Sequence, residues 1–226
     1  MNATQTTHRT VSTTLYRLKP AFVRSLAGVQ NRLARRGVTA DQLTMASLGV
    51  AGLTAAVLVA GAWVPLLWLL VGPLCLLRMA CNAMDGSMAR RSGSAGPRGA
   101  MLNELTDRAA DALTFLALAP AVGWGIAVSA VAAALGVSLV AVTAEAVTGT
   151  RLGLGPMGKP DRVAVLSLGA TAAAIGGSGW LRAASLTIVA GCAVTVARRT
   201  AALWRATAPA APAATTNRAP TVEVTS

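Results

Sequence analysis

Residues 42–77 read QLTMASLGVAGLTAAVLVAGAWVPLLWLLVGPLCLL, 36 residues without one charged side chain between Asp41 and Arg78. As a single helix this stretch would be about 54 Å long, too long for one crossing of a hydrocarbon core about 30 Å thick. It must therefore fold back, and Gly61-Ala62-Trp63-Val64-Pro65 supplies the reversal. Two spans result, about 43–61 and 64–84. The same argument divides the 33 uncharged residues between Asp111 and Glu145 at Pro120 to Gly125, giving spans near 101–120 and 125–147. A fifth runs over 162–177 and ends at Gly176-Gly177-Ser178-Gly179, and a sixth covers 181–203. Trp63, Trp124 and Trp180 fall at the three reversals, where an aromatic belt places them.

Composition agrees. Of 226 residues, 54% are hydrophobic and 12% charged, against about 25% charged for a soluble domain. Mean hydropathy is +0.58. The net charge of +12 would suit a nucleic-acid binder, but 2 Phe and 1 Tyr provide little stacking surface, so nucleic acid is excluded as a partner. Cys75, Cys81 and Cys192 lie in apolar stretches without metal-ligand spacing and read as packing residues. Seven Lys/Arg precede the first span, and four lie at or beyond the end of the sixth. Arg90, Arg91 and Arg98 separate spans two and three; Arg151, Lys159 and Arg162 separate four and five. Only Arg182 lies near the other face, so both termini are expected in the cytoplasm.

Residues 1–15, which include His8, and the Ala/Pro/Thr-rich 207–226 read as disordered tails. No secretory signal precedes the first span. Over 16–37, Leu18, Phe22, Leu26, Val29 and Leu33 recur at helical spacing, with Arg17, Arg24, Arg32, Arg35 and Arg36 largely elsewhere around the helix. This predicts an amphipathic helix lying on anionic lipid, or alternatively one packed on the protein's own loops. Thr39-x-x-Gln42 has the form of a capping box opening the first span.

Of eight carboxylates, four lie between residues 85 and 111. Asp85 ends span two; Glu104, Asp107 and Asp111 open span three. Ionisable groups in membrane helices are costly and mark functional sites. At about 100° per residue, Asn103, Asp107 and Asp111 share a face roughly 80° wide, with Glu104 at its edge. Asp85 joins them if spans two and three form a hairpin. Converging carboxylates repel unless a cation sits among them, and oxygen ligands suit Mg²⁺ or Mn²⁺. The structural alternative is simple pairing with Arg78, Arg90 and Arg108, the last spaced i, i+4 from Glu104. Gly86 and Ala89 leave room beside Asp85, Arg90 is a fork-shaped phosphate donor, and Gly99 restarts a helix beyond the loop. A divalent cation and basic residues beside lipid point to a phosphorylated, lipid-linked substrate.

The string Asn82-x-x-Asp85-Gly86-x-x-Ala89-Arg90, eight residues, Gly99-x-x-x-Asn103-x-x-x-Asp107 resembles the signature of the CDP-alcohol phosphatidyltransferases, D-x-x-D-G-x-x-A-R-x8-G-x-x-x-D-x-x-x-D. Six spans, cytoplasmic termini and an amphipathic N-terminal helix also fit that family, so the resemblance covers a domain over 16–206. It implies an integral membrane enzyme of phospholipid biosynthesis. A phosphatidyl-type group would pass from CDP-diacylglycerol or a related CDP-alcohol to an acceptor alcohol, with release of CMP. Asp107 would be the general base. Asp85 and Asp107 would be metal ligands, and Gly86, Ala89, Arg90 and Gly99 would lie along the nucleotide and its phosphates. Arg78 would reach those phosphates or balance the acids. Lys159 and Arg162, in the loop before span five, would hold an acceptor phosphate or only mark the cytoplasmic side. The resemblance further implies a homodimer, and the alanine-rich composition fits a high-GC bacterium, hence a bacterial inner membrane.

Two positions depart from the signature. Asn82 and Asn103 replace the first and third acids, as in a variant subgroup that carries an extra Asp one turn on. Each offers a metal a carbonyl oxygen but no charge, so one or two ions remain open. Asp111 and Glu104 can restore the missing charge. The alternative is a non-catalytic lipid- or nucleotide-binding protein that keeps the fold with a degenerate metal site. A small transporter would carry its acids mid-membrane rather than at one face.

Overall fold

The structure, a computed structural model, describes residues 19–207, and every regular element among them is helical. The expected tails, residues 16–18 and His8 lie outside the described residues, apart from Thr207 itself. α1 (Lys19–Ser25) and α2 (Ala27–Arg35) precede α3 (Ala40–Ala60), and a short 3-10 turn (Pro65–Leu70) leads into α4 (Val71–Arg91). There follow α5 (Pro97–Leu116), the single turn α6 (Ala119–Val122), α7 (Trp124–Thr148), α8 (Lys159–Gly176) and α9 (Gly179–Thr207).

Ala40–Ala60, Pro65–Arg91, Trp124–Thr148 and Gly179–Thr207 are long and apolar enough to cross a bilayer. α5 and α8 occupy the places of the expected third and fifth spans. They fall below that standard because α5 carries Arg98, Glu104, Asp107, Arg108 and Asp111, and α8 carries Lys159, Asp161 and Arg162.

The reversals lie where the sequence is broken, with shifts that have local causes. After α3, Trp68 folds over Gly61 and its indole N–H donates to the Leu58 carbonyl at 3.1 Å. Only a residue without Cβ tolerates that ring. The expected third span of 101–120 is instead Pro97–Leu116: Pro97 is pre-set for the first turn of α5, and Pro120 for that of α6, which moves the break to Ala117-Leu118. Gly123 then turns at φ 90° into α7, and Gly177 at φ 86° links α8 to α9.

The N-terminal segment expected as one helix over 16–37 is interrupted at Leu26. The Ser25 hydroxyl donates to the Phe22 carbonyl at 2.7 Å, a local bond that competes with the helical ladder. Leu26 and Leu33 pack against Leu43, Met84 and Met88, whereas Val29 is exposed. Part of the apolar face is thus spent on the protein itself. The capping box is formed: Gln42 N–H donates to Thr39 Oγ1 at 3.2 Å, and Thr39 N–H to Gln42 Oε1 at 3.0 Å.

α3 packs on α4 and α5, α4 on α8, α5 on α7, and α9 on both α7 and α8. The seams use small residues. Ala127, Ala130, Ala134, Ala141 and Ala144 are buried along α7, and a methyl group on Gly169 would overlap Ala184 across the α8–α9 seam. In lipid, where apolar side chains gain little by meeting one another, such close backbone approach supplies the dispersion contacts that hold helices together. The three cysteines are buried free thiols within this packing.

Candidate active site

The motif occupies the facing ends of α4 and α5, joined by residues 92–96. Ser92 Oγ donates to the Met88 carbonyl at 2.9 Å and Ala95 N–H to the Ala89 carbonyl at 3.0 Å, while Gly93 turns at φ 69°. The hairpin brings Asn82 against Asp107, its Nδ2 donating to Asp107 Oδ1 at 2.7 Å. Asp85 is buried, 4% exposed. Its Oδ2 accepts from the Thr44 hydroxyl at 2.8 Å and its Oδ1 from the Gly86 N–H at 2.5 Å.

A cavity of about 1110 Å³ opens beside these residues. Asp85, Gly86, Ala89, Arg90, Gly99 and Asn103 line one wall; Gln30 and Arg35 of α2 and Thr39, Asp41 and Thr44 at the start of α3 line the other. The Arg90 guanidinium lies over Gly86, where a Cβ would stand 3.4 Å from Nη1. A cleft of this size with one arginine fork over a glycine surface is shaped for a phosphate-bearing ligand of nucleotide dimensions.

The remaining acids are divided rather than gathered. Asp107 Oδ1 also meets Lys159 Nζ at 2.5 Å and Arg78 Nη2 at 3.7 Å. Asp111, one turn deeper, is bound on both oxygens, by Arg78 Nη2 at 3.1 Å and Arg162 Nη2 at 2.9 Å. Glu104 turns away to Arg108 and to Arg151, whose Nη2 lies 3.1 Å from both carboxylate oxygens. Arginines thus take the charge that Asp111 and Glu104 would each lend a metal ion, which is the pairing weighed as the alternative to ligation. Arg78 and Arg162 both turn inward to Asp111 and are 6% and 3% exposed. Among the described residues no group of three or more His, Cys, Asp or Glu is set to hold a metal ion.

A smaller donor set does fit one. Asn103 Oδ1 is buried without a hydrogen-bond partner, and a buried carbonyl oxygen left unpaired is costly. It sits one turn before Asp107 and on the cavity wall with Asp85. Oxygens from Asp85 and Asn103 match the chemistry of a hard dication.

The loop between α7 and α8 positions Lys159. Arg199 Nε donates to the Leu154 carbonyl at 2.8 Å and Nη1 to the Val137 carbonyl at 2.9 Å. Met157 N–H donates to Thr195 Oγ1 at 3.0 Å, and Gly155, at φ 110°, lies where a side chain would strike Thr195. Asp161 Oδ2 then accepts from the Gly158 N–H at 2.8 Å, starting α8 with Lys159 at its first position.

No protein-family model matches the chain. Inner membrane protein YnbA of Escherichia coli (strain K12) is 34% identical over 165 residues, 72% of this chain and 81% of YnbA. The chain belongs to the YnbA family. In fold, this YnbA relative is similar to Mycobacterium tuberculosis phosphatidylinositol phosphate synthase (PgsA1) with CDP-DAG bound. The TM-score is 0.68 at 20% identity, covering 80% of this chain and 94% of that one. The same synthase in complex with manganese and citrate gives a TM-score of 0.67 at 20% identity, over 78% of this chain and 88% of that one. At such identity the likeness is one of fold.

Sequence reasoning missed Thr44, Arg151, Thr195 and Arg199. Thr44 had a signal, a hydroxyl in the first turns of a largely apolar span. Glu145, near the end of α7, pairs with Arg151 in the loop that follows at 3.4 Å, a local contact rather than the interhelical one its place in the span suggested.

Proposed function

We propose that this chain is an integral membrane CDP-alcohol phosphatidyltransferase acting in phospholipid biosynthesis. It moves a phosphatidyl-type group from CDP-diacylglycerol or a related CDP-alcohol to an acceptor alcohol and releases CMP. The observation that carries this reading is the gathering of Asp85, Gly86, Ala89, Arg90, Gly99 and Asn103 around one cavity, in a fold similar to that of PgsA1. In this reading the domain spans 16–206 and crosses a bacterial inner membrane six times, with α1 and α2 at the interface and the site and both termini on the cytoplasmic side. Two copies associate through the membrane helices.

Asp85 and Asn103 would hold Mg²⁺ or Mn²⁺ beside Asp107, and the ion would supply Lewis-acid neutralisation of the diphosphate. Arg90 orients the phosphates above Gly86. Asp107 takes the proton of the acceptor hydroxyl while the acceptor oxygen bonds to the lipid-bearing phosphorus and the bond to the CMP oxygen breaks. Because Asn82 and Lys159 already engage Oδ1, that proton goes to Oδ2. Lys159, beside Asp107, is the residue available to an acceptor phosphate; Arg162 is committed to Asp111.

The test is CMP release from CDP-diacylglycerol by purified protein in detergent, with Mg²⁺ or Mn²⁺ and a panel of acceptor alcohols. Release should require metal and acceptor and fall by about 10²–10⁴-fold in Asp107→Asn, the usual contribution of a general base. The acceptor that supports release names the second substrate. One observation favours a second reading, a non-catalytic lipid- or nucleotide-binding protein: Asn82 and Asn103 leave the motif two acids short. Ligand binding without CMP release for any acceptor would establish it.

A further inference from the structure

We propose that this chain binds one divalent cation where its motif has places for two, and that the ammonium of Lys159 supplies the second positive charge. The inference rests on the transferase reading for the identity of the site. Asn82 and Asn103 remove two negative charges, leaving Asp85 and Asp107 as the motif's acids. Asp107 Oδ1 receives the Lys159 ammonium at 2.5 Å, the Asn82 amide at 2.7 Å and the Arg78 guanidinium at 3.7 Å. A carboxylate oxygen so surrounded has no room for a dication as well, since cations that share a ligand repel. Asn82 turns its amide N–H₂ to Asp107 and so presents a donor where a metal needs a lone pair. One turn nearer the hairpin loop, on α4 and α5 alike, the donors remain open. Asn103 Oδ1 is buried without a partner, and among the described residues the hydrogen bonds to Asp85 come from neutral groups, the Thr44 hydroxyl and the Gly86 N–H.

The exchange of a metal for a lysine follows from charge. Asp85, Asp107 and Asp111 carry three negative charges, and Arg78, Lys159 and Arg162 carry three positive ones. Two dications would leave this partly buried cluster at +4, whereas one leaves it at +2, a charge that an incoming diphosphate offsets. Lys159 is held for this place by the loop that Arg199 and Thr195 pin to α9.

Mn²⁺ titration of the purified protein, followed by the loss of the free-ion electron paramagnetic resonance signal, counts the sites. It is run with and without cytidine diphosphate, beside the CMP-release assay. One Mn²⁺ per chain is expected. Lys159→Met should bind that ion about tenfold more tightly, by loss of a neighbouring positive charge. Asn82→Asp/Asn103→Asp/Lys159→Met should bind two. Two ions bound by the unaltered chain, or none in either condition, would overturn the inference, as would a triple variant that still binds one. One ion without CMP release would overturn the transferase reading and leave the count standing; release with two ions would do the reverse.

Discussion

Replacing Asp111 by Asn removes a single charge at the centre of a buried ionic cluster. Its side chain is 6% exposed, and each of its oxygens meets a different guanidinium, of side-chain exposure 7% for Arg78 and 4% for Arg162. In the variant Arg78 keeps the Asp107 carboxylate at 3.7 Å and the Asp107 carbonyl at 3.3 Å. Arg162 loses the one carboxylate within salt-bridge distance among the described residues. Its Nη1 already lacks a hydrogen-bond partner. Leaving a buried charge uncompensated costs about 3–5 kcal/mol, and at about 2–4 °C per kcal/mol for a chain of this size the midpoint should fall by about 6–20 °C. The buried thiols of Cys75, Cys81 and Cys192 provide the assay, because a thiol-reactive dye labels them as the bundle opens on heating in detergent. Asp111→Asn/Arg162→Met should recover part of the loss, since it removes the stranded charge. A midpoint shift under about 2 °C, or a double variant less stable than Asp111→Asn alone, would refute the reasoning. If Asp111 were instead a metal ligand, the metal-free midpoint would stay and only the gain on adding Mn²⁺ would vanish.

Three further outcomes follow from the same geometry. Thr44→Val removes the hydroxyl that orients Asp85 and should weaken Mn²⁺ binding by about 10–100-fold, the usual cost of losing a group that positions a ligand; an unchanged titration would mean that Asp85 is not a ligand. Glu104→Gln breaks the pairs with Arg108 and Arg151, but Arg151 is half exposed, so solvent screening limits the thermal effect to under about 1 kcal/mol; a larger fall in the dye-detected midpoint would contradict this. Gly169→Leu drives a side chain into Ala184 at the α8–α9 seam and should lower that midpoint by several degrees, at a cost of about 1–3 kcal/mol for overpacking, whereas Gly125→Leu, with open space around the glycine, should not.

Charge-free runs can be read as helices because a long apolar stretch has few other fates, and each reversal carries a glycine or proline. The amphipathic segment was harder to read, since the Ser25 hydroxyl shares the Phe22 carbonyl with the Leu26 N–H, whose ladder bond is stretched to 3.3 Å. The motif residues were legible individually, and six of them meet at one cavity. Their partners were not. Asp111 and Glu104 lie at suitable helical positions for metal ligands, but arginines from α4, α8 and the loop after α7 engage them, and helical periodicity says nothing about what arrives from another helix. Lys159 could be read as a cation near phosphate, but its contact with Asp107 depends on a loop whose anchors, Thr195 and Arg199, lie about 40 residues further on.

That loop is fastened to two helices that do not follow one another in the chain. Arg151 ties it to Glu104 of α5, and Thr195 and Arg199 tie it to α9. Any lateral sliding between α5 and α9 must therefore stretch the loop or drag Lys159 along Asp107. The spacing of α5 and α9 is in this way written into the position of one ammonium group, so lateral compression of the bundle acts directly on the charge beside Asp107.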